Sequence, residues 1–296
     1  MREVILHCFR WQLRDIIKEI QNIKDCGYTA VQISPVQPCK PGPEWWTDYQ
    51  PTGFSIGNRI GDKEDLIELC HVANALGIKV ITDVVLRHTA GLDNGELLPH
   101  ELVDANILAH PEYFTNAYNA QNYNDRREVT EMACGIPMLD YYNHDLQDVY
   151  INFLQELKDC GVGGFRVDMG EHFALPEENC DFWTRVFSNF SDMYNYAECI
   201  DCERHILDKY TPYMNVLTNY GYSSDRSKSV IFIMSHDTEE SWGFTKGKND
   251  DTIKLEWDSL LEKNLECSVL FYARAYSDIW KSESVKASNL RHNLPN

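Results

Sequence analysis

Three acidic residues of this chain stand at the ends of apolar runs. Asp168 closes Gly164-Phe165-Arg166-Val167-Asp168, with an arginine two positions before it. Glu198 follows Met193-Tyr194-Asn195-Tyr196-Ala197, and Asp237 follows Val230-Ile231-Phe232-Ile233-Met234-Ser235-His236. In a parallel β/α sheet the C-terminal end of a strand is where ligands bind and chemistry occurs. A nearby arginine favours the charged form of a carboxyl, and a charged, positioned carboxylate can act as a nucleophile. Glu198 lies among Tyr196, Ala197 and Cys199, an apolar setting that keeps a carboxyl protonated near neutral pH. Three acids closing three successive strands predict one site.

The elements that must position these acids alternate. Strand-like runs fall at 3–9, 29–34, 79–85, 162–168, 193–197, 214–218, 229–235 and 268–274. Helical periodicity falls at 12–26, 62–77, 145–160, 181–190, 251–265 and 284–292; Leu66, Leu69, Cys70, Ala73 and Leu76 follow the spacing of one amphipathic face. Eight strands with helices between them predict a parallel barrel, a (β/α)8 TIM barrel. The structural alternative, an open doubly wound sheet, lacks a Gly-rich phosphate loop to support it. Two connections depart from the alternation. Residues 89–138 are rich in Asn, Tyr, Asp and Pro with little periodicity, and a structureless loop of that length is unusual in a compact domain. Residues 219–229 are too short for a normal sixth helix.

Composition narrows the partners. The 296 residues suit one large domain or a domain with an insertion. The net charge of −19 disfavours nucleic acid and anionic membranes, which need Lys/Arg patches, and is compatible with a neutral substrate. No apolar run approaches the roughly 18 residues that span a bilayer. The start, Met1-Arg2-Glu3-Val4-Ile5-Leu6-His7-Cys8-Phe9, reads as a first strand rather than a signal peptide. The ten cysteines show no paired CxxC on a zinc spacing, the nearest approach being Cys199-Ile200-Asp201-Cys202. They read as free thiols of a reducing, cytoplasmic compartment; a mature secreted form is the alternative.

The chain resembles the α-amylases of glycoside hydrolase family 13, and among them the bacterial enzymes. Five segments carry the resemblance: Trp45-Trp46-Thr47-Asp48-Tyr49-Gln50-Pro51, Asp83-Val84-Val85-Leu86-Arg87-His88-Thr89, Gly164–Asp168, the stretch around Glu198 and the stretch around Asp237. The resemblance implies a catalytic barrel of residues 1–88 and 139–296, an inserted subdomain of 89–138 after strand 3, and no C-terminal β-sandwich. It implies retaining hydrolysis of α-1,4-glucosidic bonds in starch, glycogen or maltooligosaccharides. Such an enzyme needs two carboxyls about 5–5.5 Å apart. Asp168 matches the nucleophile, Glu198 the acid/base, and Asp237 the acid that holds sugar hydroxyls. Arg166 matches the arginine that pairs with the nucleophile. His88 and His236 match histidines at the cleaved sugar, Tyr49 the ring stacked on it with Gln50 nearby, and Trp45 and Trp46 aromatic positions at neighbouring subsites.

Departures from the family pattern refine these expectations. Glu171 and His172 stand where a lysine and a histidine often meet the sugar on the leaving side; His172 is expected at the substrate, without the lysine's charge beside it. Ser235 replaces the asparagine of chloride-dependent animal enzymes, so no chloride dependence is expected. Arg87 occupies the position of an asparagine that ligates a structural calcium, and a guanidinium has donors only. No metal or other cofactor is therefore expected, and Arg87 is expected to pair with Glu128 instead. The same intermediate serves α-glucosidases and 4-α-glucanotransferases, the nearest alternatives. An amylase fold retired to a binding subunit is the alternative of another class, and the intact Asp168, Glu198 and Asp237 count against it.

Overall fold

The computed structural model describes residues 2–116, 118–200, 202–219, 221–275 and 277–295. Eight parallel strands close into a barrel in sequence order. They are β1 (Val4–Cys8), β2 (Ala30–Ile33), β3 (Lys79–Val84), β4 (Gly164–Val167), β5 (Tyr196–Glu198), β6 (Asn215–Thr218), β7 (Ser229–Phe232) and β8 (Ser268–Tyr272). Each overlaps a strand expected from the sequence, β5 least, since the sequence places its run at 193–197. The helices are α1 (Leu13–Asp25), α2 (Lys63–Ala75), α3 (Ala105–Leu108), α4 (Arg126–Glu131), α5 (His144–Asp159), α6 (Phe182–Val186), α7 (Arg204–Tyr210), α8 (Asp250–Lys263) and α9 (Glu283–His292).

Strand alternation divides the core into two. Ile5, Ala30, Ile81, Leu217, Val230 and Leu270 form one cluster, which fills the barrel interior. The intervening residues, among them Leu6, Val31, Val80 and Phe271, join the helices in the other. The helices present matching stripes: α1 buries Leu13, Ile16, Ile20 and Ile23, and α5 buries Leu146, Tyr150, Phe153, Leu154 and Leu157. Their starts are fixed locally. The Asp62 side chain accepts from Asp65 N and the Asp65 side chain from Asp62 N at the head of α2, and Asn143 caps α5. One close approach demands glycine: a Cβ on Gly164 would meet Tyr194 O at 2.1 Å, so β4 can lie against the lead-in to β5 only without a side chain there.

Two expectations about connections meet the structure differently. Among the described residues, only a 3-10 turn at Arg226–Lys228 lies between β6 and β7, as the short connection predicts. Arg226 ties this turn to the end of α8 through Asn264 Oδ1 (2.6 Å) and Lys263 O (3.2 Å). The long β3–α5 connection is held by few regular elements, α3 and α4 among them, and by Arg87. The expected Arg87–Glu128 ion pair is absent. Glu128 Oε2 instead accepts from the backbone of Gln121 (2.6 Å) and Asn122 (2.9 Å), closing its own loop. The Arg87 guanidinium donates to three carbonyls: Leu139 O (2.8 Å), Thr130 O (2.7 Å) and His172 O (3.1 Å). The last turn of a helix leaves carbonyls without intrahelical partners, and Thr130, near the end of α4, supplies one.

Candidate active site

Three strand ends bring the acids together, and Arg166 joins two of them. From β4, its Nη1 donates to Asp168 Oδ1 at 2.8 Å, and its Nη2 bonds Glu198 Oε1 at the end of β5. Nη1 also reaches Asp83 Oδ2 on β3 at 3.3 Å. Asp168 is placed by its own backbone, whose N–H bonds Val84 O at 3.1 Å, so β3 and β4 stay paired up to the site. The chain then turns sharply. Met169 takes a left-handed conformation (φ 50°), and its N–H donates to Glu198 Oε2 at 2.9 Å. Gly170 follows, pressed on β5: a Cβ there would meet Ala197 Cβ at 2.7 Å and Glu198 N at 2.8 Å.

A buried polar layer supports this centre from below. Gln32 Nε2 donates to Asp83 Oδ1 (2.7 Å), Tyr196 OH to Gln32 Oε1 (2.6 Å), and Tyr49 OH to Asp83 Oδ2 (2.5 Å). Ala30, Ile81 and Gly164 lie two residues before Gln32, Asp83 and Arg166 on their strands. The same alternation that fills the barrel therefore aims these polar groups inward, one layer higher. Asp83, Gln32 and Tyr196 were not among the expected site residues. The sequence signal for Asp83 was an acid inside an apolar strand, Lys79-Val80-Ile81-Thr82-Asp83-Val84, since a buried acid needs partners.

Burial raises three of the carboxyls around this centre. Burial pushes the Glu198 carboxyl up to about 8, against the opposing pull of Arg166, with the neighbouring Asp168 and Asp237 adding to the rise. Asp237 is raised too, chiefly by burial, while Arg166 and a hydrogen bond from Glu198 work the other way. Burial also pushes Asp83 up to about 7, opposed by Arg166 and Tyr49. His236 and His7, packed ring edge to face at 5.4 Å, are both held below the usual histidine range by burial and by repulsion from Arg166. The site can therefore present a protonated Glu198 beside the arginine-paired Asp168 at neutral pH.

A cleft of about 300 Å³ opens over this centre. Of the expected residues, Trp45, Trp46, Tyr49, Gln50, His88, Asp168, Glu198, His236 and Asp237 line it; Ile136 and Met169 complete the lining. The Tyr49 and His236 rings stack at 5.0 Å, with Trp45 edge-on to His236 at 5.5 Å. His88 Nε2 bonds Tyr49 O at 2.7 Å, while the Nδ1 atoms of His88 and His236 have no partner within the protein. Arg166 lies beneath the cleft rather than in its wall. His172 departs from expectation. It is not among the residues that line the cleft; its Nδ1 bonds Val129 O at 2.8 Å, and it faces the β3–α5 connection. The left-handed turn at Met169 swings the following residues away from the cleft floor, a backbone feature that residue types alone do not reveal.

A closed barrel whose C-terminal rim carries arginine-bridged carboxyls, with a third acid beside them, defines the class: a (β/α)8 barrel with an acidic centre at its C-terminal rim. Residues 11–95 match the α-amylase family by its catalytic domain. The chain is 31% identical to an α-amylase of Clostridium acetobutylicum over 98% of its own length, and spans 43% of that protein. Among solved structures it matches an α-amylase of Geobacillus thermoleovorans complexed with acarbose. The TM-score is 0.77 and the identity 16%, over 98% of this chain and 78% of that one. It also matches α-amylase I of Eisenia fetida in a maltohexaose complex, with a TM-score of 0.74 and 21% identity over 92% of this chain and 66% of that one. At such identities the structural matches speak for the fold. The chain is similar to α-amylases over nearly its whole length, and spans less than half the length of the Clostridium acetobutylicum enzyme.

Proposed function

We propose that this cleft hydrolyses α-1,4-glucosidic bonds of starch, glycogen or maltooligosaccharides with retention of configuration. The observation that carries the reading is the single guanidinium that bonds Asp168 and Glu198 through its two terminal nitrogens. That arrangement draws the two carboxyls to one cation, which supports the close pair, about 5–5.5 Å apart, of a retaining enzyme. Asp168 attacks the anomeric carbon as Glu198 gives its proton to the departing glycosidic oxygen, leaving a glycosyl ester on Asp168. Glu198, now ionised, takes a proton from water; the hydroxyl attacks the same carbon and Asp168 is released. Asp237 and the unpartnered Nδ1 atoms of His88 and His236 hold sugar hydroxyls, and the Tyr49 and Trp45 rings offer apolar faces to the pyranose. The α-glucan ligand bound by the Eisenia fetida relative supports this substrate class.

Two measurements test it. Asp168→Asn should abolish turnover on maltoheptaose and starch, because an amide cannot form the glycosyl ester. Proton NMR early in the wild-type reaction should show the α-anomer first; initial β-product would mean an inverting mechanism and a misassigned nucleophile. Transfer to a sugar acceptor is the second reading. It is favoured by a further hollow of about 500 Å³, bordered by Tyr123, Glu171, Ile200 and Trp242, which has room for an acceptor. Product profiles on maltoheptaose separate the two, since transfer yields chains longer than the substrate.

A further inference from the structure

The family resemblance implies a calcium ion between the barrel and the segment after β3, with an asparagine side chain as ligand where this chain has Arg87. The residues present do not fit that ion. Arg87 is 1% exposed, and its guanidinium already supplies N–H donors to the carbonyls of Thr130, Leu139 and His172. The Tyr141 ring lies 4.7 Å beneath it, and the Tyr141 hydroxyl also donates to Thr130 O, at 3.1 Å. Among the described residues no three His, Cys, Asp or Glu side chains group so as to hold a metal ion. A fixed positive charge at the meeting point of the carbonyls repels a second cation, strongly so away from water.

We propose that Arg87 is a built-in substitute for that ion. Its fork binds the oxygen atoms a cation would gather, and so fastens the β3–α5 connection to the loop after β4 without a metal. Arg87 is a positioning residue. The loop it holds through His172 O is the one whose Met169 N–H bonds Glu198, so it acts on the site at one remove. The inference concerns the cradle and is tested apart from the glucanase reading, because melting and metal content are read whether or not the cleft cleaves glucans.

The test uses the full chain, purified and dialysed against EDTA. Metal content is measured by elemental mass spectrometry, and Tm is recorded in excess EDTA and in millimolar calcium chloride. The wild type should carry no stoichiometric calcium and keep its Tm in both. Arg87→Asn removes three buried hydrogen bonds and leaves His172 O without a donor, while Tyr141 still donates to Thr130 O and Leu139 O; it should melt about 5 °C lower in EDTA. It should regain part of that in calcium, because an amide oxygen and three carbonyls are the ligand type calcium takes. Arg87→Lys, which keeps the charge but loses the fork, should fall between wild type and Arg87→Asn in EDTA. Stoichiometric calcium in the wild type, with loss of Tm on chelation, overturns the proposal. So does an Arg87→Asn protein that melts like the wild type, or one that calcium does not stabilise. Should Arg87→Asn fail to fold, the wild-type arm decides alone.

Discussion

Glu198 sets the pH behaviour expected of the cleft. Its carboxyl, pushed up to about 8 by burial, must be protonated to serve as the proposed acid, so kcat/KM should fall as pH rises through about 8. With a substrate whose leaving group needs no proton, Glu198→Gln should abolish that alkaline limb, and a limb that persists would assign it to another group. Stability carries the same sign. A carboxyl bound to its proton more tightly in the folded state contributes stability that is fully present below its unfolded value of 4.5 and lost as pH rises through about 8. Asp83, raised to about 7, acts in the same direction. His172 opposes them: burial lowers it to about 4, so its contribution is present above 6.5 and lost as pH falls through about 4. Glu198→Gln should therefore flatten the decline of Tm between mildly acidic and alkaline buffers. The three acids were legible because each ends an apolar run. The role of Arg166 as a bridge between two of them was not, because β4 and β5 are joined only by pairing across the sheet.

The element that most constrains the site is the turn after β4. Gly170 packs on Ala197 and Glu198 so closely that a methyl group would sit at 2.7 Å from Ala197 Cβ. Gly170→Ala should lift the turn from β5, lengthen the Met169–Glu198 hydrogen bond and cost about 1–3 kcal/mol of stability. Activity should drop more than stability does; an unchanged kcat in Gly170→Ala would show that the turn does not place Glu198. Sequence periodicity located the strands and the long helices to within a few residues. It did not find α7, which at Arg204–Tyr210 is too short to show a repeated apolar stripe. It also read 181–190 as one helix, whereas α6 tightens into a 3-10 turn at Phe187–Phe190. There Phe187 packs on Phe182 and Phe190 on Phe165, and side-chain packing overrides the 3.6-residue repeat.

At the scale of the whole molecule, the barrel is closed but unevenly clad. Between β6 and β7 the described chain supplies a 3-10 turn where a helix is usual, and nearby Leu255 on α8 is 73% exposed. Arg226 compensates by bonding the end of α8 and covering the Tyr222 ring at 4.3 Å. Because these contacts are partly solvated, Arg226→Ala should cost only about 1 kcal/mol. Faster hydrogen exchange should be confined to the β6–β7 connection and the end of α8, with KM unchanged. Global loosening, or a changed KM, would give this flank a larger role.

Taken alone, the sequence determined the eight-strand alternation, the irregular β3–α5 connection, the short β6–β7 connection and the strand-end acids, because each is written in local periodicity. Tertiary structure decided which groups meet. The family resemblance led to Glu128 as the partner of Arg87, since both stand at positions that match side-chain ligands of the family's calcium. The structure gives Arg87 three backbone carbonyls, which every residue carries and no letter marks. The Gln32–Asp83–Tyr196 layer was hidden for a related reason: inward aim and shared height in a barrel follow from the register between strands, which is fixed only when the barrel closes.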